Sequence, residues 1–288
     1  MRLDGRRESA NVDDRRRQGG GMRGKAGLGI GGLIVMGLLT WLMGGNPLSV
    51  LQQADMGALM QGNEAAHQPT AEEDELATFS KKVLAGTEDV WMAEFQKRGL
   101  QYEPPRLVLF TGSVKSGCGG ASSSMGPFYC SADQTVYIDL SFFSQMKQQL
   151  GADGDFAYAY VIAHEVGHHV QYLLGTLSQA HEQMNRVSEK ERNRISVRLE
   201  LQADYYAGLW AYHDHQRFQS LEDGDIEEGM NVASRIGDDY LQQKAQGYTV
   251  PDSFNHGTSQ QRMRWLKKGL LSGDLAGGDT FSPAYESL

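Results

Sequence analysis

Residues 26–54 carry no charged side chain. A soluble domain rarely runs so far without one, because its helices and strands present a solvent face every few residues and polar groups populate it. Within the run, residues 27–45 read GLGIGGLIVMGLLTWLMGG, 19 residues in all. As a helix they span about 28 Å, close to the hydrocarbon thickness of a bilayer. Glycine is poor in a soluble helix but common in membrane spans, and Trp41 falls near the far end, where an aromatic ring favours the interface. A cleaved leader fits less well: the 25 residues before the run are longer than a usual basic region, and no small-x-small site follows it. The pattern predicts one transmembrane helix over residues 26–45, with a basic head at 1–25 and a polar tether at 46–71.

Charge divides unequally around that run. The whole chain has 27 Lys+Arg against 36 Asp+Glu and a net charge of −9. The head holds eight basic and four acidic side chains, +4, which leaves −13 for everything after it. A body this acidic excludes nucleic acid as the main partner, since phosphate binding needs a clustered positive field. The positive-inside rule keeps the head in the cytoplasm and puts the body outside. In an oxidising compartment Cys118 and Cys130, the two cysteines present, are expected to form a disulfide worth about 3 kcal/mol from loop closure.

The body reads as one α+β domain over residues 72–288, mostly helical with a small sheet. A helix is expected to about residue 98, from Leu76, Phe79, Val83, Leu84, Val90 and Trp91 at helical spacing. Strands are expected at 106–111 and 135–140, flanking the cysteine loop. Helices follow near 141–150, 154–174, 188–217, 224–246 and 258–272, with no repeat at a fixed period.

The chemistry concentrates in YVIAHEVGHHVQYLLG, residues 160–175. His164 and His168 are four apart, so on a helix both imidazoles leave one face and can share one zinc ion. Glu165 lies about 100° away, within reach of a metal-bound water. A third ligand six residues beyond His168 would fall at Leu174, so a third histidine of that spacing is excluded. His181, Glu182, Glu189, Glu191, Glu200 and His213 remain as candidates. Glu200 stands out because Asp204, one turn on in ELQAD, shares its helical face and can accept a hydrogen bond from a ligand histidine. His169 is expected on the helix surface, and His67, His181, His213 and His215 on solvated surface.

HEVGHH, RLELQADYYAG at 198–208 and DSFNHGTSQQR at 252–262 together resemble the bacterial neutral zinc metallopeptidase family, whose motifs are similar to those of other membrane-anchored gluzincins. The resemblance covers nearly the whole chain. It implies a zincin-like fold with an edge strand beside the cleft, and Glu200 as the third zinc ligand. It also implies that His256 faces the metal as a donor to an oxyanion and that Arg262 buttresses the site. One departure is Tyr205, where relatives often carry a cysteine of a second disulfide.

The expected activity is hydrolysis of peptide bonds by a zinc-activated water, with Glu165 as general base and His256 stabilising the oxyanion. The substrate, a peptide or protein, would add to the edge strand at 135–140. The enzyme would sit in the bacterial inner membrane with its zinc domain periplasmic. Two alternatives stand beside this: a non-catalytic anchored module in which zinc is structural, and a zinc amidase acting on cell-wall material.

Overall fold

Helix α1 (Ala71–Gln96) begins at a capping box: the Thr70 hydroxyl accepts from the Glu73 amide while the Glu73 carboxylate accepts from the Thr70 amide. Two donors that a helix start leaves orphaned are thereby satisfied. The computed structural model describes residues 1–17 and 67–288. The expected anchor at 26–45 and most of the tether lie outside the described residues. Among the described residues no helix is long and apolar enough to cross a membrane.

Six short strands follow the chain: β1 (Val12–Asp14), β2 (Arg106–Phe110), β3 (Ser113–Ser116), β4 (Gly119–Ser122), β5 (Phe128–Cys130) and β6 (Thr135–Asp139). Four form one sheet in the order β1-β2-β6-β5, parallel except for the last pair, and β3–β4 is a separate hairpin. Every residue of β6 is buried. Leu107, Leu109, Val136 and Ile138 pack toward the helices, and Val108, Phe110 and Tyr137 pack toward the hairpin. A strand covered on both faces reads as continuously apolar rather than alternating. The expectation that 135–140 supplies the edge strand is therefore corrected: β6 has partners on both sides, and the free edge belongs to β5.

The helical part comprises α2 (Ser141–Gln145), which continues as a π-turn through Met146–Leu150, then α3 (Asp155–Leu173), α4 (Thr176–Met184), α5 (Glu189–Phe218), α6 (Asp225–Arg235), α7 (Asp238–Gln246) and α8 (Ser259–Ser272). The expected helix over 224–246 is two helices broken at 236–237. Helix α4 was not expected, since it buries only Leu177 and Ala180 and shows little apolar pattern.

Helices α3, α5 and α8 form the core, and glycines set how closely they approach. A Cβ at Gly167 would lie 3.1 Å from the Cα and carbonyl oxygen of Ala203, so the glycine of HEVGH lets α3 settle against α5. Gly208 and Gly269 do the same between α5 and α8, where a Cβ would lie 2.2 Å from Leu266 O or 2.1 Å from Tyr205 O. Close packing of these three helices brings the three motifs read from the sequence to one place.

Residues 1–17 are part of this fold, which corrects the expectation of a separate head. Strand β1 pairs with β2, and Leu3 is buried. Arg6 makes a two-pronged bond with the fully buried Asp214, at 2.8 and 3.2 Å, and lies 3.7 Å over the Phe218 ring. Arg16 is bound by Asp14 and Asp74 at 2.6 and 2.9 Å. Arg6 and Arg16, read as part of a solvated head, are instead held by carboxylates of the folded domain, Arg6 by the buried Asp214 and Arg16 by the exposed Asp74.

Candidate metal centre

On α3, His164 and His168 stand one turn apart with ring centroids 4.8 Å from each other. Glu200 of α5 faces both: its carboxylate oxygens lie 3.2 Å from His164 Nε2 and 3.4 Å from His168 Nε2. One atom from each of the three residues falls within 4.8 Å of the others. Bonds of about 2.0–2.1 Å to a tetrahedral zinc ion require donor separations of roughly 3.3 Å, so the three residues fit that ion.

Each histidine presents Nε2 because its Nδ1 is held from behind. His164 Nδ1–H donates to Asp204 Oδ1 at 2.8 Å. The same oxygen accepts from Tyr160 OH at 2.6 Å and Arg262 Nη2 at 2.9 Å, while Arg262 Nε donates to Oδ2 at 2.9 Å. Asp204 is fully buried and Arg262 nearly so. Burial alone would raise the pKa of Asp204, but the Arg262 and His164 charges outweigh it and hold the carboxyl below its ordinary range. His168 Nδ1–H donates to Gln171 Oε1 at 2.9 Å, and Gln171 Nε2 in turn donates to Leu199 O and Gln202 Oε1 at 2.7 and 3.1 Å. Both partners fix the tautomer that leaves Nε2 as a ligand.

The protons of the cluster follow the charges of its own side chains. Burial opposes a charged His164, yet Asp204 and Glu200 raise it to about 10. His168 is raised by Glu200 against the same opposition, and Glu200 is held well below its ordinary range mainly by His168. Glu165 behaves oppositely: burial pushes it up, and the neighbouring histidines only partly offset that. Among the described residues its carboxylate has no hydrogen bond or ion pair, although only 9% of the residue is exposed.

His256 lines the same cavity. Its Nδ1 lies 3.0 Å from Asp238 Oδ1, and Asp238 Oδ2 accepts the backbone N–H groups of Asn255, His256 and Gly257 at 2.8, 2.8 and 3.1 Å. Asp238 is wholly buried at the start of α7, so one carboxylate holds the entire histidine loop. Cys118 and Cys130 form a disulfide with Cα atoms 5.8 Å apart, joining the β3–β4 turn to the end of β5.

The structure thus brings together His164, Glu165, His168, Glu200, Asp204, His256 and Arg262. It places His169 differently from the expectation: the ring is fully buried, not on the surface, between Tyr129 OH at 2.9 Å and Glu103 O at 2.7 Å. His213 and His215 are half-buried on backbone partners, and His67 pairs with Glu73. His181 is exposed and sits at the cavity wall. Tyr160, Gln171 and Asp238 were missed. Tyr160 is one turn before His164 and Gln171 three residues after His168, so helical spacing alone could have flagged those two. Asp238 reaches its loop only through tertiary contact.

Two histidines from one helix, a carboxylate from a second and a buried glutamate beside them make a cluster whose His164, His168 and Glu200 could hold one metal ion. The chain belongs to the family described as "Putative neutral zinc metallopeptidase", whose model matches residues 1–281. It is similar to the uncharacterized protein YpfJ of Escherichia coli (strain K12), 50% identical over 291 residues covering 98% of this chain and 99% of the relative. It is also similar to the uncharacterized protein Rv2575 of Mycobacterium tuberculosis (strain ATCC 25618 / H37Rv), 43% identical over 193 residues covering 64% of each chain. No solved structure matches this chain.

Proposed function

We propose that this protein is a zinc-dependent peptidase that hydrolyses peptide bonds with Glu165 as general base. The observation that carries the reading is Glu165 at the edge of the metal cluster: the residue is only 9% exposed, its carboxylate has no hydrogen bond or ion pair among the described residues, and it lines the cavity. Burying a carboxylate without a partner is costly, and folding alone gives no return for it. A structural zinc site closes on four protein ligands, whereas this cluster has three among the described residues and opens on a cavity. Both facts weigh against the non-catalytic module.

His164, His168 and Glu200 would hold the ion, which supplies Lewis-acid polarisation of a carbonyl and a lowered pKa for water. Glu165 takes the proton from the attacking water and later delivers it to the leaving amine; its raised proton affinity suits that return step. His256, oriented by Asp238, donates to the oxygen where negative charge develops. Arg262, Asp204 and Tyr160 keep His164 from rotating. The free edge of β5 receives the substrate backbone as an added strand.

The proposal includes membrane attachment through residues 26–45 in a bacterial inner membrane, with the domain on the oxidising side. The disulfide supports that compartment. The docking of residues 1–17 favours a head on the same side as the domain, against a single crossing between them. Activity is tested with the full chain, because deleting the head would remove β1. Wild type and Glu165→Gln are compared on a peptide library with zinc content measured in both. Zinc-dependent cleavage that falls by a factor of about 10² or more in the variant is expected, and equal turnover would remove Glu165 from the mechanism.

A further inference from the structure

We infer that the cavity beside the zinc cluster is a binding site for bulky apolar side chains, and that its ligands are extended, apolar-rich segments of unfolded polypeptide. The chemistry rests on the peptidase reading above, whereas the binding does not. The cavity measures about 630 Å³, within the roughly 300–1,000 Å³ of sites that engulf a whole ligand. That is far more space than a water molecule and one amide need.

Its walls carry the argument. Phe142, Met146 and Leu150 come from α2 and its π-turn, while Leu177, Met184 and Leu199 come from α4 and α5. The carboxylates lining the space are Glu165 and Glu200, both at the zinc cluster. Apart from Arg262, which is bound to Asp204, the one fixed cation on the walls is Lys244, and it donates to Gln149 O and lies 5.7 Å over the Tyr240 ring. Away from the zinc cluster and Lys244, a charged substrate side chain seated against these apolar walls would lose its water and meet no opposite charge among the described lining residues. An apolar one gains from leaving water. Methionines at 146 and 184 are unbranched and polarizable, so they adapt to several shapes; the site selects an apolar class rather than one residue.

The backbone requirement comes from β5. Among the described residues its outer edge pairs with no strand, and Phe128 and Tyr129 of this strand line the cavity. It is anchored through Tyr129 to His169 and through Cys130 to Cys118. A held edge of this kind pairs with extended chain and excludes helices, and extended chain presents alternate side chains to one wall. Folded proteins seldom offer an unpaired strand with exposed bulky apolar residues, so unfolded chain is the occupant that satisfies both walls and edge.

Binding is read apart from turnover by using the full-length, zinc-loaded Glu165→Gln variant in lipid nanodiscs with fluorescent decapeptides. The peptides share one sequence except for two central residues, Leu-Leu, Ser-Ser or Asp-Asp. We expect the Leu-Leu peptide to bind at least about tenfold more tightly than either polar peptide. Phe142→Lys and Met184→Lys, both at half-buried positions, should each abolish the preference while zinc content stays unchanged. Equal binding of all three peptides, or preference intact in both lysine variants, would overturn the inference. Cleavage by wild type without apolar preference overturns it too and leaves the peptidase reading standing. Apolar-selective binding with no cleavage by wild type supports the site and retires the hydrolysis.

Discussion

Helix α3 carries three histidines in six residues, and their surroundings differ mainly in charge. His164 is backed by the Asp204 carboxylate within a buried network containing Arg262 and Tyr160. His168 is backed by a neutral amide, Gln171. His169 has a phenol and a backbone carbonyl as its hydrogen-bond partners among the described residues, packs against the Tyr102 and Tyr172 rings, and burial drives its pKa down to about 4. A carboxylate behind an imidazole raises its basicity and makes it a stronger ligand, an amide fixes its orientation without adding charge, and neutral partners turn the ring into a strut. One helix thus supplies two candidate ligands whose backing differs in charge and one buried ring that holds β5.

The largest effect should come from the charged side. Asp204→Ala leaves Arg262 and Tyr160 buried without their acceptor. It should cost about 3–5 kcal/mol of stability and lower zinc affinity about 10–100-fold, read by urea unfolding and chelator competition. If stability falls and zinc affinity does not, Asp204 is a scaffold residue and the contrast with Gln171 disappears. Arg6→Ala, which strands the buried Asp214 far from the cluster, is the control: a loss of about 3 kcal/mol is expected with zinc affinity unchanged.

His169 gives a pH signature. Its pKa is lowered in the folded protein, so its contribution is complete above the unfolded value near 6.5 and is lost as pH falls toward 4. Over that window the loss amounts to about 3 kcal/mol. His169→Gln should therefore flatten the fall in stability between pH 6.5 and 4 relative to wild type, and parallel curves for the two proteins would refute the assignment.

The neutral side should show the smallest change in stability. Gln171→Ala is expected to lose about 1–3 kcal/mol and about tenfold in zinc affinity. Gln171→Glu should recover that affinity or exceed wild type, since it gives His168 the kind of partner His164 has. An affinity for Gln171→Glu below that of Gln171→Ala would show that the amide's bonds to Leu199 and Gln202 matter more than its hold on His168.

The docking of residues 1–17 yields a separate test. Cysteines placed at exposed Asp4 and Glu222 should react alike with a membrane-impermeant maleimide on intact cells. Opposite labelling would restore the single crossing between head and domain.

Much of the centre was legible in the primary structure because helices report themselves locally. The four-residue spacing of His164 and His168, and of Glu200 and Asp204, holds wherever those helices pack. The family motifs extended that reading to His256 and Arg262. The same locality explains what was missed or misplaced. The β6 segment was read as an edge because nothing within it tells which strands lie alongside. His169 was placed on a surface because a single helix does not reveal that β5 and Glu103 cover that face. Arg6 and Arg16 of the head were read as solvated because their carboxylate partners Asp214 and Asp74 lie 208 and 58 residues away.

The sequence by itself determined the one-turn spacing of the two histidines, the glutamate beside them and the mostly helical character of the domain, since those depend on residue chemistry and a 3.6-residue period. Tertiary structure alone decided which strand is free to receive a peptide, which groups orient each ligand, and where the first 17 residues belong. Those properties arise from contacts between segments far apart in the chain, and they are settled only when the glycines at 167, 208 and 269 let three helices close on one another.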